Sequence, residues 1–319
     1  MNILVTGGAG FIGSHVCKVL AHRKLVPVVY DNLSRGHRSA VKWGPLEVGE
    51  IADSHRLREV LDKYQPAAVM HFAAYINVGE SVQKPVLYYY NNVAATASLL
   101  QTLIDYKPIP FVFSSTAAVY GMPEKVPIPE DHPLLPINPY GWSKLFVETM
   151  LADAGRAHKL PWIALRYFNA AGSDPDGEIG EQHDPETHLI PLVIKAALGK
   201  TAIQVFGTDY ETTDGTCIRD YIHVMDIADA HVRALDHLLS GGESCVLNLA
   251  NAKGFSVKEV ISAAERVCGR QIKVQTTARR PGDPAVLIGA ADRAHALLRW
   301  KPARSDLDLQ IADAWNWFK

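Results

Sequence analysis

Asn2-Ile3-Leu4-Val5-Thr6-Gly7-Gly8-Ala9-Gly10-Phe11-Ile12-Gly13 opens the chain, and its reading decides the fold. Five residues of buried-strand character run into glycines at 7, 10 and 13. A helical face made by Ile12, Val16, Val19 and Leu20 follows. In a strand–turn–helix unit, Gly7, Gly10 and Gly13 permit a tight turn and the close approach of a pyrophosphate. The helix that starts at Phe11 and Ile12 then offers amide donors and a positive dipole end to that anion.

A second apolar run, Val26-Pro27-Val28-Val29-Tyr30, ends at Asp31-Asn32. An acid about 20 residues past the glycines can accept from the adenosine ribose hydroxyls and repels a 2′-phosphate, so Asp31 favours NAD over NADP. Arg35 nearby keeps NADP open. Further strands are expected at 68–72, 111–114 and 162–166, with helices between them around 54–64, 91–106 and 141–158. This alternation predicts an α/β fold with a Rossmann-type, doubly wound parallel sheet. After about Ala170 the pattern changes. Residues 172–187 are rich in Gly, Pro, Asp and Glu and read as a long loop. Beyond it, helices are expected at 189–198, 226–239, 256–267 and 306–318, the last two capped by Ser256 and Asp306. Strands are expected at 205–206 and 246–248. The predicted division is a dinucleotide domain over 1–170 and a second, smaller mixed α/β domain over 171–319.

Composition narrows the classes. At 319 residues and 48% hydrophobic, the chain can bury a large core. Its net charge is −2, with no basic stripe, so neither nucleic acid nor a membrane surface is expected as a partner. Cys17, Cys217, Cys245 and Cys268 are widely spaced and suit a reducing compartment. The N-terminus runs directly into a strand, leaving no room for a signal peptide. There is no His-Glu-x-x-His, and His183 and His188 flank Asp184-Pro185, a loop-like pair. The expectation is no metal.

Tyr140 and Lys144 lie one helical turn apart in Pro139-Tyr140-Gly141-Trp142-Ser143-Lys144 and so face the same way. A free phenol titrates at about 10, and bringing it to neutrality takes about 4 kcal/mol of differential stabilisation. A nearby ammonium favours the phenolate. Beside a hydride acceptor, such a pair is the apparatus for oxidising an alcohol. Tyr-x-x-x-Lys alone is common on helices, so the glycine turn upstream is what gives it weight.

These residues resemble the extended short-chain dehydrogenase/reductase superfamily. His71-Phe72-Ala73-Ala74, Val78-Gly79-Glu80-Ser81, Ser114-Ser115-Thr116-Ala117-Ala118-Val119-Tyr120-Gly121 and Arg166-Tyr167-Phe168-Asn169 narrow the likeness. With Asp214-Gly215-Thr216-Cys217-Ile218-Arg219-Asp220-Tyr221-Ile222-His223-Val224, the chain is similar to the UDP-glucose 4-epimerase family from its first strand to Arg280-Pro281-Gly282-Asp283. The resemblance implies a tightly held NAD that is not consumed, a UDP-hexose substrate, a homodimer packed through helices near 91–106 and 141–158, and a cytoplasmic location. It implies Tyr140 as the base, Lys144 on the nicotinamide ribose and Thr116 on the reacting oxygen. Glu50 and Ile51 would lie near the adenine, with Phe72, Ala73, Ala74, Asn91 and Tyr167 along the cofactor. Asn169, His188, Leu189, Phe206, Arg219, Arg280 and Asp283 would hold the UDP, with Leu287 beside the sugar. Guanidinium forks suit a diphosphate.

Four positions depart from the best-known bacterial pattern. Glu50 replaces an aspartate, Ile76 stands at a frequent lysine, His188 at an asparagine, and Leu287 where a tyrosine or a smaller residue limits room around the sugar C2 substituent. A 4,6-dehydratase on this scaffold carries an Asp-Glu pair after the threonine. Here Ala117-Ala118 follow Thr116, and neither can transfer a proton. A non-catalytic NAD sensor is disfavoured by the joint presence of Thr116, Tyr140 and Lys144. A 4-epimerase for UDP-N-acetylglucosamine, UDP-glucuronate or a UDP-pentose would differ only in pocket residues.

Overall fold

The computed structural model describes residues 1–280 and 282–319. The first half runs β1 (Asn2–Thr6), α1 (Phe11–His22), β2 (Val26–Asp31), β3 (Leu46–Val48), α2 (Ser54–Tyr64) and β4 (Ala68–His71). It continues with α3 (Val78–Gln83), α4 (Pro85–Tyr88), a π-helical turn (Tyr89–Ala94), α5 (Ala95–Tyr106), β5 (Phe111–Thr116), α6 (Pro139–His158) and β6 (Trp162–Tyr167). The second half holds β7 (Asn169–Ala171), α7 (Leu189–Ala197), β8 (Ile203–Phe206), β9 (Ile218–His223), α8 (Val224–Leu239), β10 (Cys245–Leu249) and β11 (Gly254–Ser256). It ends with α9 (Val257–Cys268), β12 (Val274–Thr277), β13 (Val286–Leu287), α10 (Asp292–Leu298) and α11 (Leu307–Phe318).

Seven parallel strands form the main sheet in the order β10-β6-β5-β4-β1-β2-β3. The order reverses at β1, where doubly wound sheets place their ligand crevice. Alternate side chains feed two cores. Ile3, Val5, Met70, Val112 and Leu165 face α1 and α8, while Leu4, Val69, Phe111, Phe113 and Ala164 face α2, α5 and α6. Both faces are therefore covered, which is why these strands read as continuous apolar runs.

The chain leaves this sheet near residue 170, where the sequence reading put its division, but then returns. Helix α8 packs against α1, and β10 closes the sheet edge beside β6. The reason is apolar demand: β6 needs a partner along its free edge, and Leu247 and Leu249 supply it within the first core. The elements that stay outside are β9 with β7, β11 and β13, the β8–β12 pair, and α7, α9 and α11 around a third core.

Several boundaries differ from expectation. Helix α5 is preceded by helical turns reaching back to Val78, which Pro85 breaks into short pieces that carry no clear period. Helix α6 starts at Pro139, because Asn138 caps it by accepting from the Gly141 amide. Strands β3, β7 and β9 are short or lie amid polar residues, and periodicity does not reveal them. The caps at Ser256 and Asp306 are both formed, Ser256 within a full capping box. Among the described residues, no helix is long and apolar enough to cross a membrane.

The long segment 172–187 is tied down by charge. Lys18 of α1 is buried, and its Nζ donates to Asp174 at 2.8 Å, Asp176 at 2.6 Å and Glu178 at 2.7 Å. Asp174 is fully buried. Removing one partner of a buried pair strands the other charge. Lys18→Met should therefore lower stability by about 3 kcal/mol in urea titration. Lys18→Met with Asp174→Asn should recover part of that loss. A double variant no more stable than the single one would show that the ion pair is not the cause.

Candidate active site

The glycine turn is built as its spacing requires. Gly7 has φ +72°, and a Cβ there would stand 2.5 Å from the Ala73 amide nitrogen. A Cβ at Gly13 would lie 2.3 Å from the Gly7 carbonyl oxygen. Gly10 is different: a Cβ there would approach only the Gly7 oxygen, at 3.3 Å. The first two glycines let chain segments meet, and the third leaves room on the open side of the turn. Gly10 caps α1 without a side-chain bond, and no acid stands in the first turn. The amides at Phe11, Ile12 and Gly13 are thus free to meet an anion. A cavity of about 370 Å³ opens here, lined by Gly10, Phe11 and Arg35 on one side and Gln182, His183 and Trp317 on the other. Residues and space both fit a dinucleotide pyrophosphate.

Asp31 ends β2 nearly buried, accepting from the Ala9 amide at 3.0 Å and the Leu33 amide at 2.8 Å. Burial raises its pKa, and these two amides pull it back. Arg35, the residue that left NADP open, is drawn to Glu80 at 3.4 Å and to the Asp184 carbonyl at 3.3 Å. Asn32 donates to both oxygens of Glu50, at 3.0 and 2.9 Å, and Ile51 is buried beside them at the same sheet end. Phe72, Ala73 and Ala74 follow β4 and abut the glycine turn, while Ile76 is exposed further along the same loop.

Thr116 ends β5, and Tyr140 and Lys144 start α6 across from it. Lys144 is buried and donates to the Ser114 carbonyl at 2.9 Å, with its Nζ 4.9 Å from the Phe113 ring centre. Burial lowers Lys144 to about 7, with Glu148 pulling the other way. Burial raises the Tyr140 phenol above its ordinary value, and Thr116 lowers it in part. Tyr167 meets Ser114 through its hydroxyl, inside the same wall. Burial thus leaves the phenol a weaker acid than it is in water.

The second group of residues gathers around β9. Asn169 on β7 donates to the Asp220 carbonyl at 3.0 Å. Arg219 pairs with Asp283, and Leu287 lies opposite Arg219 in the strand register. The Arg280 guanidinium sits 3.8 Å from the Phe206 ring centre. Leu287 also packs with Ala117, Val119 and Tyr120 just beyond Thr116, which brings the two groups together. Leu189 begins α7 and His188 caps it. The His188 ring turns instead to Glu181 at 2.6 Å and Glu186 at 3.2 Å. Burial would depress His188, but these two carboxylates outweigh it and push it up to about 10.

Sequence reasoning overlooked three supports. Asn92, next to the anticipated Asn91, is buried; its side chain holds the Tyr75 amide and carbonyl at 2.8 and 2.9 Å and Ser143 Oγ at 3.0 Å, tying the cofactor loop to α6. Glu148 forms a bidentate pair with Arg166 at 2.9 and 2.6 Å. Its position two turns after Tyr140 was the available signal. Asp220 is buried, accepting from the Asn251 amide at 3.0 Å, and burial lifts it to about 7; nothing local in the sequence marks it.

Comparison with known proteins agrees with this geometry. Residues 3–250 match the model of the NAD dependent epimerase/dehydratase family. A UDP-glucose 4-epimerase of Rhizobium meliloti (strain 1021) is 54% identical over 99% of this chain and 96% of its own length. The crystal structure of UDP-glucose 4-epimerase from Brucella ovis in complex with NAD matches with a TM-score of 0.97 at 51% identity, covering 98% of this chain and 97% of the other. The enzyme from Bifidobacterium longum in complex with NAD+ and UDP matches with a TM-score of 0.94 at 37% identity, covering 99% and 98%. The chain belongs to the NAD dependent epimerase/dehydratase family, among its UDP-glucose 4-epimerases.

Proposed function

We propose that Tyr140, Thr116 and Lys144 carry the NAD-dependent interconversion of UDP-glucose and UDP-galactose, by transient oxidation at the sugar C4. The observation that carries the reading is their convergence at the end of β5, with Leu287 beside them and Arg219 next in register. When bound, NAD supplies a reversible two-electron oxidant, and its oxidised ring adds a positive charge that favours a phenolate. Tyr140 removes the proton of the 4-hydroxyl and later returns one. Thr116 holds the reacting oxygen. Lys144 fixes the cofactor ribose and contributes charge to the phenol. Gly7, Gly10, Gly13, Phe11, Ile12, Asp31, Asn32, Glu50, Ile51, Phe72, Ala73, Ala74, Asn91 and Tyr167 hold the cofactor in this reading.

The 4-keto sugar must turn over in its pocket so that its other face is reduced, so the nucleotide must anchor it while the sugar swings. In this reading Arg219 and Arg280 grip the diphosphate, with Asp283, Asn169, Leu189, His188 and Phe206 around the uridine. The Arg219–Asp283 pair opens to admit it. In this division of labour the first 170 residues hold the oxidant, and the outer elements of 171–319 hold the nucleotide. A cytoplasmic site of action is part of the same reading, supported by four free cysteines.

Homodimerisation completes the proposal. The apolar face that supports it lies on the helical turns before α5 rather than on α5 itself. Val82, Val86 and Tyr90 are 61%, 77% and 70% exposed, with Phe146 of α6 beside them at 42%.

Incubation of the purified chain with UDP-galactose and no added cofactor should yield UDP-glucose on separation of the sugar nucleotides. No conversion by preparations that carry NAD would rule the reaction out. Tyr140→Phe should reduce turnover by about 10²–10⁴ while the bound NAD remains. A variant that keeps most of its activity would reassign the base. Val86→Glu with Tyr90→Glu should turn a dimer into a monomer in sedimentation velocity, and an unchanged distribution would place the interface elsewhere.

The lysine gives a pH test. Burial lowers its pKa to about 7 in the folded chain, below its ordinary value of 10.5. Between these values the unfolded chain keeps a proton that the folded chain has shed, so stability contributed by this group rises with pH. Relative to Lys144→Met, the wild-type chain should gain stability from pH 7 to 10 with a slope of up to about 1.4 kcal/mol per unit. A constant difference would mean that the folded lysine stays charged.

A further inference from the structure

The segment after Gly172 holds a cluster of donors away from the residues that act at the sugar C4, of which only His188 also figures in the proposed nucleotide pocket. Glu181, His183, Glu186 and His188 each offer one ligand atom, and these atoms all lie within 4.8 Å of one another. His183 Nδ1 is 2.9 Å from Glu181 Oε1 and 3.9 Å from Glu186 Oε2. His188 Nδ1 is 2.6 Å from Glu181 Oε1 and 3.2 Å from Glu186 Oε1. The Glu181 and Glu186 side chains are 3% and 2% exposed.

One detail separates this cluster from an ordinary set of ion pairs. Glu186 Oε1 is turned by the amides of Thr187 and His188, at 2.8 and 2.9 Å. That leaves Glu186 Oε2 facing His183, buried and without a hydrogen-bond partner among the described residues. A buried carboxylate oxygen with no donor is costly, and such an atom calls for an occupant. Tetrahedral coordination with bonds of about 2.0–2.1 Å sets ligand atoms about 3.3 Å apart. His183 Nδ1 stands 2.9 Å from Glu181 Oε1 and 3.9 Å from Glu186 Oε2, one on each side of that value. Two imidazoles with two carboxylates form a donor set suited to a borderline cation rather than to calcium or magnesium, which take oxygens. The neighbouring acids Asp174, Asp176 and Glu178 do not compete, because the Lys18 ammonium already fills their centre.

We propose that Glu181, His183, Glu186 and His188 form a binding site for one divalent cation of the zinc class. The four donors span a single turn of loop, since the chain reverses at Asp184-Pro185 and brings the two histidine rings to 5.2 Å. The bound ion clamps this loop against the glycine turn, where the His183 ring meets the Phe11 ring edge-on at 6.3 Å. Its role is structural: it fixes a wall of the cofactor cavity and takes no part in the chemistry at C4.

The test uses the full-length chain with its bound NAD, treated with chelator, dialysed and titrated with zinc chloride in a calorimeter. Atomic emission counts the metal. The expected result is one equivalent per chain at micromolar affinity or tighter, and cobalt(II) in its place should give the intense visible absorption of a tetrahedral site. His183→Ala and Glu186→Gln should each weaken binding by about 100-fold, while His55→Ala, on the exposed face of α2, should not change it. Circular dichroism of the variants without metal checks that they are folded. Affinity no better than millimolar, or equal affinity in folded variants and wild type, would overturn the site and leave only ion pairs between imidazolium and carboxylate.

Discussion

The pair between Arg166 and Glu148 is sealed between β5, β6 and α6, and the positions of Tyr140 and Lys144 depend on it. Both residues are nearly inaccessible, and Ser115 and Tyr120 add bonds to them. Charges removed from water this way are tolerated only when geometry satisfies them fully, and a fork-to-fork pair does so. Tyr140, Lys144 and Glu148 are spaced four apart on α6 and share one face. Fixing Glu148 to the sheet therefore fixes the ammonium one turn earlier and the phenol two turns earlier. Helix α6 is held at its sheet face by a charge pair, at Lys144 by the Ser114 carbonyl, and at its start by the Asn138 cap. Few side-chain motions remain available to Tyr140, as the role of base proposed for it requires.

The same network reaches the second half of the chain. Tyr120 bonds Asn248 on β10 at 2.6 Å, and Asn248 in turn donates from its side chain to the Ile128 carbonyl and from its backbone amide to the Glu130 carboxylate. Strand β13 carries Leu287 toward the residues after Thr116, and Asp220 braces Asn251 and Gly289 around it. The end of β5 and the elements around β9 are thus packed as one wall. A swinging sugar needs a rigid anchor and a roomy pocket, and the burial of Asp220 within β9 is the kind of polar strut that provides rigidity without filling space.

What could be read from residue order alone follows from the range of the interactions. The glycine turn, Asp31 and the strands that feed two apolar faces are local patterns, and all of them appear where spacing put them. Tyr140 and Lys144 were legible because a helix turns sequence spacing into proximity. Asn92, Arg166 with Glu148, and Arg219 with Asp283 join residues 17 to 64 positions apart, and only the assembled sheet brings them together. The helices at 78–94 escaped because Pro85 and short lengths erase their period. The return of β10 escaped because a five-residue apolar strand does not specify which edge it will join.

That late strand has a consequence for synthesis on the ribosome. β6 is complete by residue 167, yet its edge partner is residues 245–249. A nascent chain therefore carries an unpaired, apolar edge while more than half of the remaining length is still being made, and such an edge is a template for pairing with other chains. The dinucleotide half cannot be harvested by truncation at its apparent border. It becomes a self-sufficient body only once the polypeptide has passed Leu249, so any shortened version would need that segment grafted back beside β6.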